Sequence, residues 1–432
     1  MKPSRVLGAA VCAIALVVSA CSSSTESSSN SSSQWSAASG SPDTTSLKGD
    51  IEWLPCGAVQ CGSLSVLADT EAPQLGAVKL ALYRRVSPLS SKAPVLLLVA
   101  DRMLGVSPRE LAEQAPLLFG SSVNGYTVVS VASRGMVESP MPVAASSRIA
   151  TLDIAEDLQF LSSALHAKKV FAMGWGSGAT AVVAWEMQYP KSVDAAVVDA
   201  PMDPAAPLPG QLTEQLVSTE RAGVTAARWC ASHLSCSINA IVADEIARFR
   251  LKMLEGRLPE GITADVVSRA AANAIASASP GKIFDAMLRA MDNRDGIGLL
   301  QMAGVAPAPA DATAFCADVP RNVAARAARA AVALHSKHTR QIHVGNEHVM
   351  WGFCADLPEA ARPLGAVQPA ESSTGARMMV TIARGDPFTP PAPARAMTKR
   401  MKWTYLSVAA NRRFVLGVDT ALTEAAMEFL GA

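Results

Sequence analysis

The stretch FAMGWGSGATAVVAWEMQYP, residues Phe171–Pro190, carries the reading of the fold. It opens as an apolar run suited to a buried strand, turns through three alternate glycines and continues as a helix of high apolar density. Hydrolytic serines sit on such a strand–turn–helix in the pattern G-x-S-x-G, whose glycines let strand and helix pack closely beneath a sharp turn. Gly174-Trp175-Gly176-Ser177-Gly178 fits that frame with one fault: Gly176 holds the central place and Ser177 stands one place late. Centring the frame on Ser177 would put Trp175 and Ala179 in the flanking places, where an indole does not fit. Ser177 therefore reads as a polar residue opening the helix rather than a displaced nucleophile.

Strand-like and helix-like segments alternate on both sides of this turn. AVKLALYRRV, APVLLLVA and YTVVSVASRG read as strands before it, and LAEQAPLLFG as a short helix. TLDIAEDLQFLSSALH places Leu152, Ala155, Leu158, Leu161 and Leu165 at helical spacing. KVFAMG leads into the turn and DAAVVDA follows the helix. Such alternation predicts an α/β fold, a mainly parallel sheet with helices on both faces. Beyond Met202 the sequence becomes alanine-rich, helical and broken by prolines. Alternation resumes with RMMVTIA, the loop RGDPFTP, a helix near Ala394–Met401, the strand WTYLSVA and the helix ALTEAAMEFL. The predicted organisation is a core of residues 51–202 and 377–432, with a helical lid, 203–376, inserted before the last two strands.

The chain starts with a short basic region, Met1-Lys2-Pro3-Ser4-Arg5, followed by VLGAAVCAIALVVSA. An apolar run of about 15 residues suits a signal-peptide core better than a membrane span. It ends in Val18-Ser19-Ala20-Cys21, which resembles a bacterial lipobox. Residues 1–20 are therefore expected to be a lipoprotein signal peptide, with Cys21 as the acylated N-terminus. Residues 21–50 read as a serine-rich flexible tether. The expected location is the extracytoplasmic face of the cell membrane, with a lipid anchor holding the protein there. The 38 Lys and Arg residues are scattered and balanced by 37 acids, so no basic stripe points to nucleic acid.

Six of the 8 cysteines remain after Cys12 and Cys21 are set aside. Six cysteines allow 15 pairings. In an exported chain, local spacing favours Cys56–Cys61 and Cys230–Cys236, leaving Cys316 with Cys354. A zinc site is the rival, but neither pair has C-x-x-C spacing. His335, His338, His343 and His348 cluster without an H-E-x-x-H motif. No metal and no cofactor is expected.

Several motifs together resemble the exported tripeptidyl-aminopeptidase and proline-iminopeptidase branch of the α/β-hydrolases, common in actinobacteria. WLPC…CGSLSV is similar to its N-terminal cysteine stretch. SRGMVESP resembles its R-G-x-G-x-S-x-P loop through Arg134, Gly135, Ser139 and Pro140. YPKSVDAAVVDAPMDP resembles the segment after the nucleophile helix, and RWCASHLSC its lid cysteine pair. GDPFTP resembles the G-x-x-D-x-x-T-P loop, which implies that Asp386 stands at the catalytic aspartate's place. The resemblance spans about Trp53–Ala432 and implies the α/β-hydrolase fold with a helical lid.

The departures fall on the chemistry. A serine triad needs a nucleophile, a base and an orienting carboxylate, in the chain order Ser, Asp, His for this fold. Gly176 aligns with the nucleophile and Arg413 with the histidine. Asp101 and Arg102 occupy oxyanion-loop positions where the family has glycines. None of His166, His233, His335, His338, His343 and His348 follows Asp386. The expected function is non-covalent binding of a peptide, lipid or envelope protein by a pseudoenzyme. Two alternatives stay open: an active aminopeptidase or esterase with an unusual nucleophile, and a structural component of a cell-envelope complex. A buried carboxylate needs a partner, so Asp386 is expected to pair with Arg413 or at least to lie close to it, with Arg384 and Arg412 as rivals.

Overall fold

In strand β4 (Val95–Val99), Leu97 and Val99 join one apolar cluster while Leu96 and Leu98 join another. The same alternation runs through β6 (Val170–Trp175), β7 (Val193–Asp199) and β8 (Arg377–Ala383). Side chains on a strand point alternately to opposite faces, so a strand buried on both faces must be apolar throughout. This is why VLLLV and DAAVVD show no polar alternation. In this computed structural model, residues 50–431 are described apart from 103–105, 168–169, 234–235, 237–260, 278, 305–315, 324–361, 366 and 368–374.

The remaining strands are β1 (Leu54–Cys56), β2 (Val59–Leu67), β3 (Ala77–Arg85), β5 (Thr127–Val131) and β9 (Thr404–Val408). Among the described residues they form one sheet in the order β1-β2-β3-β5-β4-β6-β7-β8-β9. The pairs β1/β2, β2/β3 and β3/β5 are antiparallel, and every pair from β5/β4 to β8/β9 is parallel. Counted from β2, the second strand runs against the others, and the third and fourth exchange places. That is the α/β-hydrolase arrangement. The β1–β2 hairpin is not apparent from the sequence pattern, because VQCGSLSVL mixes polar residues into its apolar alternation.

Helices cover both faces. On one side lie α3 (Thr151–Ala164) and α4 (Gly176–Gln188), joined by the Trp185 Nε1 to Gln159 Oε1 hydrogen bond of 3.0 Å. On the other lie α1 (Pro108–Glu113) and α2 (Ala115–Phe119). The single helix expected over LAEQAPLLFG is thus two short ones, divided at Gln114, with a proline in the first turn of the second. Between β7 and β8 the chain forms α5 (Leu208–Ser232), α6 (Ala264–Ala276), α7 (Pro280–Asp292) and α8 (Gly296–Ala303). Val267, Ala274, Phe284, Met287 and Leu299 give these helices a core of their own. The core ends with α9 (Pro391–Met401) and α10 (Thr420–Leu430), one on each face.

Cys56–Cys61 and Cys230–Cys236 are disulfides, with Cα separations of 5.7 and 5.4 Å. Cys316 is also disulfide-bonded. Its expected partner Cys354, the expected lipidation site Cys21, residues 1–49 and the histidines from His335 to His348 lie outside the described residues. Among the described residues, no helix is long and apolar enough to cross a membrane.

Candidate functional site

In a parallel sheet, functional groups gather beyond the carboxyl ends of the strands. Here those ends bring together Asp101 after β4, Gly176 after β6, Asp199 closing β7, Asp386 after β8 and Arg413 after β9. Gly176 has φ +51°, in the left-handed region that side chains avoid. The sharp turn is therefore centred on Gly176 and not on Ser177. A Cβ on Gly174 would lie 2.7 Å from Ala179 Cα, and one on Gly178 would lie 2.7 Å from the Ala100 carbonyl oxygen. Both flanking glycines are thus required, and the elbow frame of the sequence is real.

What fills the elbow is the Asp101 carboxylate. A Cβ built on Gly176 would overlap Asp101 Oδ2 and lie 2.8 Å from Asp101 Cγ. Asp101 is buried, with 3% of its surface exposed. The Ser177 backbone N–H donates to its Oδ2 at 2.8 Å, and Arg413 Nη2 approaches the same oxygen at 3.2 Å. In an active hydrolase the N–H after the nucleophile helps form the oxyanion hole. Here that donor is already spent on a carboxylate of the chain itself.

Arg413 makes no ion pair with Asp386, the pairing expected from the sequence, although its charge still acts on that carboxyl; its ion partner is Asp101. The reason is geometric. Its guanidinium lies over Phe414 at 4.8 Å and Phe388 at 5.6 Å, which direct it to the elbow, and Asp101 enters the space left by the missing side chain of Gly176. Asp386 is fully buried. Its Oδ1 accepts from the N–H groups of Phe388 (2.7 Å) and Thr389 (2.9 Å), while Oδ2 has no partner among the described residues. Burial pushes its pKa up to about 8, against the pull of those N–H groups and of Arg413. Burial thus favours the neutral acid, which lacks the charge that orients an imidazolium.

Asp199 escaped the sequence reading. It is wholly buried; Oδ1 accepts from Thr381 Oγ1 at 3.0 Å, and Oδ2 from the N–H groups of Val415 (2.7 Å) and Leu416 (2.8 Å). It fixes the segment that carries Arg413. Burial raises its pKa to about 6. An aspartate ending an apolar strand was the available signal.

Ser177 Oγ accepts from the Arg102 N–H at 3.3 Å, and no histidine meets it among the described residues. The Arg102 side chain turns away to donate to the Arg134 carbonyl. Trp175 is buried on the opposite face, stacked on Phe119 at 6.1 Å and donating to the Leu416 carbonyl at 3.2 Å. His166 lies exposed beside Asp50, and His233 stacks on Trp229. Cys230 and Cys236 approach Asp285 as a disulfide, so they offer no thiolate to a metal.

The SRGMVESP motif is architectural. Arg134 grips Asp157 through two bonds of 2.6 Å and donates to the carbonyls of Ala68, Arg148 and Leu67 at 2.8–3.1 Å, using all its donors. Ser139 Oγ accepts from the Ala81 N–H and donates to the Ala132 carbonyl.

No family model matches the chain, and no curated protein does. Solved structures resemble it at low identity. A proline iminopeptidase-related protein from Thermus thermophilus is 14% identical, with TM-score 0.38 over 88% of this chain and 96% of that one. A probable hydrolytic enzyme from Pseudomonas aeruginosa is 12% identical, with TM-score 0.43 over 86% and 94%. A thermophilic esterase from Thermogutta terrifontis is 15% identical, with TM-score 0.40 over 85% and 97%. The fold assignment rests on the strand order and the elbow.

Proposed function

We propose that this chain is a lipid-anchored, extracytoplasmic member of the exported peptidase-like hydrolases that has lost hydrolysis and acts by binding. The observation that carries the loss of hydrolysis is the Asp101 carboxylate seated in the place of a nucleophile's side chain. Nucleophile, base and oxyanion hole are altered together: Gly176 has no nucleophile, the Arg413 guanidinium donates hydrogen bonds and accepts none, and Asp101 puts a carboxyl group where anionic charge would develop. Losing the serine or the histidine of a triad alone costs about 10⁶ in turnover. The partner would be a peptide, lipid or envelope protein that enters beside the helical insertion, which serves as a lid. Contacts of α5 with the Asp386 loop support the lid: Ser218 Oγ donates to the Asp386 carbonyl (2.8 Å) and Thr219 Oγ1 to the Pro387 carbonyl (2.7 Å).

The test is hydrolysis of peptide and ester reporters by the mature protein. The expected rate equals that of Ser177→Ala; a rate that falls in Ser177→Ala would overturn the proposal. Anchoring rests on Val18-Ser19-Ala20-Cys21. Cys21→Ala is expected to leave the membrane fraction or to stay unprocessed. Fractionation and migration like the wild type would remove the anchor from the account.

A further inference from the structure

The loss of a nucleophile explains a glycine at the elbow but not the carboxylate that has moved into its space. We propose that Asp101 is an intramolecular ligand: the Ser177 N–H and the Arg413 guanidinium form a built carboxylate site, and the chain occupies it with its own side chain. The inference deepens the non-hydrolytic reading above and rests on it.

Three observations meet at Asp101 Oδ2. The Ser177 N–H donates to it at 2.8 Å from the first turn of α4, where the helix dipole favours an anion. Arg413 adds a cation at 3.2 Å, held by Phe388 and Phe414. The oxygen also fills the volume where a Gly176 side chain would begin. Asp101 and a side chain at position 176 are thus mutually exclusive. A free carboxylate competes with a group already in place at high effective concentration and loses. The site as it stands is closed to small anions, including the oxyanions formed when esters and amides are cleaved. Opening it takes only the removal of the Asp101 side chain.

The experiment is chemical rescue in the mature chain. Asp101→Gly is expected to lower the melting temperature, and formate should restore about 1–2 °C relative to chloride at equal ionic strength. Wild type should not respond to formate, nor should Asp101→Gly/Arg413→Gln. Equal formate responses in wild type and Asp101→Gly would overturn the proposal, as would no response in Asp101→Gly. If Asp101→Gly does not fold in chloride, refolding yield replaces melting: recovery only in formate supports the site, and equal failure in both salts overturns it.

A second measurement addresses the exclusion itself. Gly176→Ala carries the cost of φ +51° in any background. Its extra clash with Asp101 should vanish in Asp101→Gly, so the double variant should melt higher than the sum of the single effects predicts. Additive effects would contradict the overlap. These results are independent of reporter hydrolysis: turnover through Ser177 would sink the functional proposal and leave the formate response standing.

Discussion

At Gly176 the Asp101 carboxylate occupies the volume in which a side chain would begin. The glycine spacing placed the elbow on Gly176, and the +51° backbone angle agrees. A glycine at the centre of the elbow is legible because it is a matter of residue identity. The partner of Arg413 was not. The partner of Arg413 depends on which carboxylate enters the volume over Gly176, and that carboxylate is Asp101. Asp386 gives a test of this environment. Its folded pKa, about 8, lies above the unfolded value of 3.8, so its penalty grows as pH climbs between the two. Each unit is worth at most about 1.4 kcal/mol. Asp386→Asn keeps an acceptor for the Phe388 and Thr389 N–H groups and removes the titration. It is expected to stabilise the protein at pH 8 and to change it little at pH 4. Denaturant melts at the two pH values check this, and destabilisation at pH 8 would mean that the carboxylate is ionised and needed.

Among the elements, the parallel strands were the easiest to read because both of their faces are apolar. The β1–β2 hairpin was hidden by its mixed pattern, and the break at Gln114 because the apolar residues of LAEQAPLLFG are compatible with one helix. The motif SRGMVESP was legible as a resemblance but not as a structural clamp. Arg134 donates in five directions, and a lysine offers a point charge that cannot reproduce the two-pronged grip on Asp157. Arg134→Met leaves Asp157 buried without its partner and should cost about 3–5 kcal/mol in urea denaturation, with Arg134→Lys intermediate. A loss below about 1 kcal/mol for Arg134→Met would show that the pair is dispensable. The insertion also meets α3: Asp318 accepts from the Thr151 N–H and Oγ1, both at 2.7 Å, at the start of that helix.

Three buried acids and the half-buried Asp318 together set how the protein responds to pH. Loss of solvation raises Asp199 to about 6, Glu186 and Asp318 to about 7, and Asp386 to about 8. Each is protonated more readily in the folded state than in the unfolded one. Each therefore costs stability as pH rises from its unfolded value towards its folded one. Asp69 has the opposite effect: burial raises it, but the Glu71 N–H and Arg148 outweigh burial and hold its pKa below the usual value, so its contribution is lost as pH falls. The melting temperature is expected to be higher at pH 5 than at pH 8, and the reverse order would show that these acids stay ionised. No charge count of the sequence, with its net +1, contains this behaviour, because it arises from burial.

Loss of hydrolysis is tested most directly by exposing the mature protein to a fluorophosphonate. An activated serine forms an Oγ–P bond, fluoride leaves, and the base takes the serine proton. With Asp101 in the elbow and Arg413 at the base's position, the intact mass should remain that of the untreated protein, as for Ser177→Ala. One adduct per chain, mapped to Ser177, would contradict it.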